Sequence, residues 1–501
     1  MCALAGVLLA GCAPTPRFTG DSARQLFLTT LETLDDRYIE PIDPSTLMMS
    51  GLSQLSTIDE RLEISRTPNS ITLSVNGGIV AERTMPAPHD IHGWSGLAAD
   101  MIVAARRESP SVTARDADHV YDSIFHGIVD GLDRYSRYLP PDDALNSRAS
   151  REGFGGIGVQ IDSVDGDFVI RTVYPDRPAT LAGLKVDDRI THVDGRAVNG
   201  LDLRAVVRRL RGRVGDTVRL TIQRAGTPRP FDREIVRDYI VASTVTVHGH
   251  DRILEAKLTG FNTGTVGELR RAIVRMAREI GPGLEGVVLD LRGNPGGLLD
   301  QAIAVSDLFM TRGRIISTKG RHPESNQLFD ASPGEVLPGV PMVVIVNGRS
   351  ASAAEIVAVA LRDSGRAAVV GSTTFGKGTV QTIMRLPNHG ELNITWARIH
   401  APSGQTLDAQ GIVPAICTNI SEAAAKTLLA TLGARADKPV VDPLKLRLQA
   451  RQPHYSADRR EACRPSDHNG AHDLEAARLL LGNRALYASA IAQLPPTIAE
   501  R

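Results

Sequence analysis

The sequence predicts a multidomain α/β protein with a mainly-β insertion and a helical N-terminal region, and three observations carry that prediction. Between residues 245 and 435, strands that are apolar but for Asp290 (286–291, 342–346 and 367–370) alternate with stretches at helical spacing. Strands without polar alternation are buried on both faces, as in a sheet with helices on either side. Residues 153–240 instead break into short alternating strands separated by Gly- and Asp-containing turns. Finally, 501 residues are too many for one hydrophobic core, at about 150 residues per domain.

Composition excludes several classes. Lys plus Arg and Asp plus Glu both number 57, so the whole chain has no charge bias toward nucleic acid. Hydrophobic residues at 42% and charged residues at 23% exclude wholesale disorder. Aromatics are only 4%, so the cores must rest on Leu, Val, Ile and Ala. No apolar run approaches the roughly 18 residues that a membrane-spanning helix needs.

Residues 3–11 are apolar and end in Leu9-Ala10-Gly11-Cys12. This resembles the lipobox of a bacterial lipoprotein signal, which implies a segment 1–12 ending at a diacylated Cys12, and a periplasmic, membrane-anchored protein. The departure is that no Lys or Arg precedes the apolar run. With Cys2 removed and Cys12 lipidated, Cys417 and Cys463 remain. An even pair in an oxidising compartment suits a disulfide, and two unrelated buried thiols are the equal alternative.

Residues 13–20 read as a tether, and 21–150 as a helical region containing a hairpin. Phe27, Leu31 and Leu34 recur at helical intervals, and Leu52, Leu55, Ile58 and Leu62 do so after Pro41 and Pro44. Ile71, Leu73 and Val75, then Ile79 and Ala81, alternate around Asn76-Gly77-Gly78, a hairpin signal. Helical spacing returns over 94–106 and 116–132, and a turn-rich stretch over 133–143 closes the region.

Within 153–240, "PATLAGLKVDDRITHVDGRAV" (178–198) resembles a PDZ domain of the protease-associated type. Gly156, Ile157 and Gly158 then occupy the expected carboxylate-binding loop, with Val159 opening the adjacent strand. Consecutive N–H groups in such a loop form an anion nest, and a strand edge can take up an added peptide strand. Arg204, Arg208, Arg209, Arg211 and Arg213 are read as a solvated helix face rather than a carboxylate trap.

Three motifs in the α/β region carry chemistry. Asp290-Leu291-Arg292-Gly293-Asn294-Pro295-Gly296-Gly297 is a glycine-rich turn from strand to helix, whose N–H groups suit an oxyanion or simply make a tight turn. Ser350-Ala351-Ser352-Ala353-Ala354-Glu355-Ile356 places Ser352 three residues before Glu355, which fits either a capping box or a nucleophile at a helix N-terminus. Phe375-Gly376-Lys377-Gly378-Thr379-Val380-Gln381 sets a lysine between two glycines, open enough to approach another backbone. No GxSxG elbow surrounds Ser352 and no histidine sits in a motif identifiable as a triad partner.

In this order, after a PDZ-like unit, "LDLRGNPGG", "SASAAEI" and "FGKGTVQ" resemble the C-terminal processing peptidases, serine proteases with a Ser–Lys dyad. "LDRYSRYLPPDD" (132–143) resembles the segment that leads into their PDZ domain. The resemblance covers about 120–420. It implies a crotonase- or Clp-protease-like core over 245–435, followed by a helical extension over 436–501 without clear counterpart. It makes Ser352 the nucleophile, with Ser350 its rival, Lys377 the general base and Gln381 the residue that orients the lysine. The N–H groups of Gly297 and Ala353 become the oxyanion hole. No metal and no cofactor is implied, and the partners are polypeptides with accessible C-terminal tails; an oligomer or an adaptor is compatible with the sequence.

The dyad sets physical requirements. A free lysine, with a pKa of about 10.4, is only about 0.1% neutral near pH 7.4, and lowering that pKa to about 7.4 costs roughly 4 kcal/mol. Lys377 is therefore expected to be desolvated beside Ser352, with Phe375 as an apolar wall. Four residues of straight strand would put Gln381 about 13 Å from Lys377, so a turn or bulge must intervene. Ala415 stands where the family commonly has an acidic residue. Two other readings compete: a catalytically silent PDZ-containing scaffold on the same fold, and an acyl-thioester enzyme. Intact Ser352, Lys377 and Gln381 oppose the first, and the PDZ-like unit opposes the second.

Overall fold

The computed structural model describes residues 18–433, 460–461, 463–467, 470 and 472–492. Cys12 and the lipobox lie outside the described residues. Two compact units form: residues up to 145 together with 318–327 and 379–399, and residues 146–317, 328–378 and 400 onward.

In the first unit, the helices Gly20–Arg37, Pro44–Ser53, Ile91–Glu108 and Ala117–Asp130 pack around Phe27, Leu31, Trp94 and Phe125. Asp43, Asp90 and Asp116 each accept a backbone N–H at a helix start, satisfying a donor that has no partner within the helix. The hairpin forms as Ser70–Val75 and Gly78–Thr84. Both turn residues are left-handed (Asn76 φ 50°, Gly77 φ 80°), the backbone of a type I′ turn. Leu62, expected to continue a helix, instead opens a third strand, Leu62–Arg66, paired with Ser70–Val75. The preceding helix stops at Ile58 because Asp59 is extended and its carboxylate binds both the N–H and the guanidinium of Arg61. The stretch expected as turns over 133–143 contains the strand Arg137–Leu139 and the start of a helix, Pro141–Arg151.

Within the stretch expected as the α/β core, 245–435, residues 318–327 and 379–399 group with the first unit. The antiparallel hairpin Thr379–Arg385 and Glu391–His400 joins the N-terminal unit through 379–399. Its apolar positions explain this: Leu386, Leu392 and Ile394 are buried in the same cluster as Trp94 and Phe125. Arg137–Leu139 pairs with residues 391–393 of the hairpin.

The second unit contains the mainly-β insertion. Its strand order is Phe231–Val236, Thr217–Gln223, Arg189–Val193, Asp167–Val173 and Val159–Val164, so the last strand is an edge. Phe168, Ile170, Val218, Leu220 and Ile222 form its core. Phe154–Gly156 pairs with Asp238–Ile240, drawing the two ends of the insertion together.

The same unit holds a six-stranded sheet in the order Val245–His250, Ile253–Leu258, Gly286–Asp290, Met342–Val346, Ala368–Gly371 and Ile416–Cys417. All its pairings are parallel except the first hairpin. Helices Leu299–Asp307 and Ala353–Asp363 pack on each other. One sheet face, with Val288, Val343, Ile345 and Val370, buries Leu428 and Leu432 of Glu422–Gly433 and Ala476, Ala477 and Leu480 of Asp473–Gly482. The described helices of the extension are thus a covering layer of this sheet. Burying one leucine there is worth about 1.5–3 kcal/mol. Cys417 and Cys463 are joined by a disulfide with their Cα atoms 5.8 Å apart. No helix among the described residues is long and apolar enough to cross a membrane.

Candidate active site

The parallel strands Gly286–Asp290 and Met342–Val346 are neighbours, so the loops that follow them emerge together at their C-terminal ends. Asparagines bind these loops to each other. Asn347 Oδ1 accepts the Gly293 N–H at 3.0 Å, and the Asn294 carbonyl accepts the Ala351 N–H at 2.9 Å. Asn294 is fully buried; its Oδ1 accepts the Gly296 N–H at 2.9 Å and its Nδ2 donates to Leu258 O at 3.0 Å.

Ser352 immediately precedes the helix Ala353–Asp363 with φ 54° and ψ −114°. That backbone is strained for any residue with a Cβ, at a cost of about 1–3 kcal/mol, and such strain persists where the surroundings enforce it. The enforcement is visible. The Ser352 N–H donates to Glu355 Oε2 at 2.8 Å, and Gly296 packs so closely that a Cβ on it would come within 2.9 Å of Ser352 Cβ. Ser350 is a different kind of serine. It is fully buried, its Oγ donates to Leu291 O at 2.8 Å and accepts the Asn347 N–H at 3.0 Å, so its hydroxyl is occupied in bracing the loops.

Gly297 has φ 146°, and a Cβ there would lie 2.1 Å from Phe261 O, so only glycine fits. No acceptor among the described residues takes the N–H of Gly297 or of Ala353. Two unused donors, one of them at a helix N-terminus, can bind developing negative charge.

Lys377 is half-buried, and Phe375, expected as its apolar wall, is 49% exposed. The lysine's backbone, by contrast, is tightly held. Gly376 is left-handed (φ 90°) and its carbonyl accepts the Ala409 N–H at 2.9 Å, while a Cβ on Gly378 would lie 2.1 Å from Asp408 N. Phe375 N–H donates to Ser350 O at 3.1 Å.

Glu355, read from sequence only as half of a capping box, ties these pieces together. Its fully buried carboxylate accepts the N–H groups of Ser352 (2.8 Å), Gly376 (2.8 Å) and Lys377 (2.9 Å), and the Thr374 hydroxyl. Burial pushes its carboxyl above the usual range, while these four donors pull it down. One side chain therefore fixes the main chain of both Ser352 and Lys377. Replacing Glu355 by Gln keeps the volume but turns one acceptor into a donor facing N–H groups. We expect Glu355→Gln to lose about 2–5 kcal/mol of stability through unpaired buried donors and at least tenfold in kcat. Denaturant unfolding and steady-state assays check both; wild-type kcat in this variant would remove Glu355 from the positioning role.

Gln381 belongs to the first unit. A register shift between Val380 and Gln381 interrupts its strand pairing, the kind of bulge that re-aims a side chain. Its Nε2 lies 3.3 Å from Thr379 Oγ1 and 3.5 Å from Thr395 Oγ1, and Thr395 Oγ1 donates to Asp133 Oδ1 at 3.0 Å. Asp133, from "LDRYSRYLPPDD", also binds the N–H and the hydroxyl of Ser136.

In the insertion, Gly156, Ile157, Gly158 and Val159 line a groove of about 220 Å³. Ile161, Val207, Leu210 and Ile240 supply its apolar walls. Gly158 is left-handed (φ 81°), and neither Ile157 nor Gly158 donates its N–H to any acceptor among the described residues. The groove runs beside the edge strand Val159–Val164. Of the five arginines, Arg204, Arg208 and Arg213 are exposed, while Arg211 lines the groove, stacked 4.2 Å over Phe154 and bonded to Asn146 Oδ1 at 2.9 Å.

Residues 252–418 match the model of peptidase family S41, and residues 155–235 match that of the PDZ domain. A carboxy-terminal-processing protease of Bartonella bacilliformis is 37% identical over 340 residues, covering 68% of this chain and 78% of the relative. The carboxy-terminal processing protease CtpA of Bacillus subtilis is 36% identical over 304 residues, covering 60% of this chain and 64% of its own length. Among solved structures, a photosystem II D1 C-terminal processing protease is 24% identical, with 79% of this chain and 93% of that one covered, at a TM-score of 0.40. With 37% identity over most of a relative's length, the chain belongs to the carboxy-terminal-processing serine proteases of peptidase family S41.

Proposed function

We propose that this protein is an endopeptidase that selects polypeptides by their C-terminal tails and cleaves them through a Ser352–Lys377 dyad and an acyl-enzyme. The observation that carries the reading is Ser352 held at φ 54° beside the unused N–H groups of Gly297 and Ala353, with its main chain anchored on the same carboxylate as that of Lys377. Neutral Lys377 Nζ takes the Ser352 Oγ proton as Oγ bonds to the scissile carbonyl carbon. The oxyanion accepts from the Gly297 and Ala353 N–H groups. Collapse breaks the C–N bond, and Lys377 returns the proton to the leaving amine. Water then attacks the ester, Lys377 takes its proton, and the acid and the Ser352 hydroxyl are released. Gln381 is given the lysine-orienting role that its match to the family motif implies. A silent scaffold would have no use for a strained serine whose backbone costs stability.

Tail selection is assigned to the groove at Gly156–Val159. The carboxylate meets the loop N–H groups, and the preceding residues extend the sheet at its free edge. Its apolar walls favour apolar terminal residues. Export and lipid anchoring at Cys12 complete the reading: a periplasmic protease held at a membrane, supported by the lipobox-like Leu9–Cys12 and by a disulfide suited to an oxidising compartment.

The test compares kcat/KM for one peptide with a free and an amidated C-terminus. Charge-assisted hydrogen bonds are worth about 1.5–3 kcal/mol, so amidation is expected to lower kcat/KM by roughly ten- to a hundredfold. Equal values for the two peptides reject tail reading by this groove.

A further inference from the structure

We infer that the Cys417–Cys463 disulfide is a redox-sensitive clamp that holds the catalytic loops in register, so that proteolysis requires the oxidised form. The inference rests on the Ser352–Lys377 reading, because its target is the set of loops that carry those residues.

Residues 463–467 adopt no regular secondary structure. Yet Cys463, Ser466, Gly470 and Asp473 bond to the glycine-turn motif itself and to the chain just ahead of the Ser352 and Lys377 motifs. The Gly348 N–H donates to Ser466 O at 2.8 Å, four residues before Ser352. Contact there is so close that a Cβ on Gly348 would lie 2.9 Å from Ser466 N and 3.1 Å from Pro465 Cβ. Ser466 N–H donates to Ser372 Oγ at 3.2 Å, and Thr373 Oγ1 donates to Cys463 O, on the chain leading into Lys377. Arg292, next to the glycine turn that carries Gly297, donates to Gly470 O at 3.3 Å and to Asp473 Oδ2 at 3.1 Å. These contacts are mostly single hydrogen bonds to main chain, of modest net worth each. The disulfide anchors them. It ties Cys463 to Cys417 on the sheet's last strand across a sequence separation of 46, so docking no longer has to close that loop.

Cys463 is 4% exposed, whereas Cys417 is half-buried, so attack from solvent falls on the Cys417 sulfur. The thiolate of a dithiol reductant bonds to Cys417 Sγ and expels the Cys463 thiolate, which is protonated. The reductant's second thiol then closes its own disulfide and frees Cys417. Two electrons and two protons pass to the protein. Released, residues 463–466 can leave Gly348, Ser372 and Thr373, and the loops relax by fractions of an ångström. Misplacement of about 1 Å at reacting groups costs on the order of a hundredfold in rate.

The experiment reduces the full-length folded enzyme with a dithiol, counts the freed thiols by mass, and measures kcat and KM before reduction, after it, and after reoxidation. We expect kcat to fall roughly ten- to a hundredfold with two thiols freed, KM to stay within about twofold because neither Cys463, Ser466, Gly470 nor Asp473 lines the tail groove, and kcat to return on reoxidation. The variant with Cys417→Ser and Cys463→Ser should show the reduced-state kcat in either buffer. Unchanged kcat with both thiols freed overturns the inference, as does a lowered melting temperature without a change in kcat, or a loss that reoxidation does not restore. Ser352→Ala assayed alongside separates the two levels. If that variant is dead and reduction has no effect, only the clamp fails; if that variant is active, the dyad reading fails.

Discussion

Ser352→Ala is expected to abolish proteolysis, with kcat falling about 10⁴-fold or more, as loss of a nucleophile does elsewhere. The variant should fold. Ser352 is only partly buried, and the bond that anchors it runs from its main chain to Glu355. Ser350→Ala is expected to do the reverse. Its hydroxyl bridges Asn347 N and Leu291 O in a fully buried position, so removal leaves a buried N–H unpaired at about 1–3 kcal/mol. That variant should melt earlier yet keep most of its kcat at temperatures where it is folded. A purified Ser352→Ala enzyme with wild-type turnover, or a folded Ser350→Ala enzyme without any, would reverse the assignment.

Lys377→Arg is expected to be as inactive as Lys377→Ala, about 10³-fold or more below wild type, although it preserves the charge. A guanidinium has no acceptor and does not deprotonate at any working pH, so it cannot take the serine proton. The substitution leaves in place the main-chain bonds at this position, Lys377 N–H to Glu355 and the close approach of Gly378 to Asp408. A kcat–pH profile strengthens the test. The wild-type rate should rise with pH as the base loses its proton, and any residual rate in the Arg variant should lack that limb. Measurable turnover by the Arg variant with the wild-type pH profile would place the base elsewhere.

Local pattern made much of this legible. The nearly all-apolar strands announced a covered parallel sheet, and the three glycine- and serine-containing motifs marked the loops that follow three of its strands. Asn76-Gly77 specified its hairpin because a type I′ turn needs positive φ at both positions. Other features were hidden because they depend on partners distant in sequence. Leu62 kept helical spacing and became a strand once Asp59 terminated the helix and a neighbouring hairpin offered an edge. Residues 379–399 were assigned to the α/β core by contiguity, yet Leu392 and Ile394 are buried with Trp94 and Phe125.

By itself, the sequence determined the motif chemistry: a serine flanked by small residues, a lysine between glycines, a glycine turn with free N–H groups, and a PDZ-like insertion. These are local properties of side-chain type and backbone freedom. Only the tertiary structure decided that the Ser350 hydroxyl braces two loops, that Phe375 is exposed rather than a wall, and that Glu355 holds Ser352 and Lys377 on one carboxylate. It also joined Cys417 to Cys463 and set Ser466, Gly470 and Asp473 against the glycine turn and the chain leading into Ser352 and Lys377. The physical reason is that hydrogen-bond satisfaction and burial are settled by groups tens to hundreds of residues apart, which no local spacing encodes.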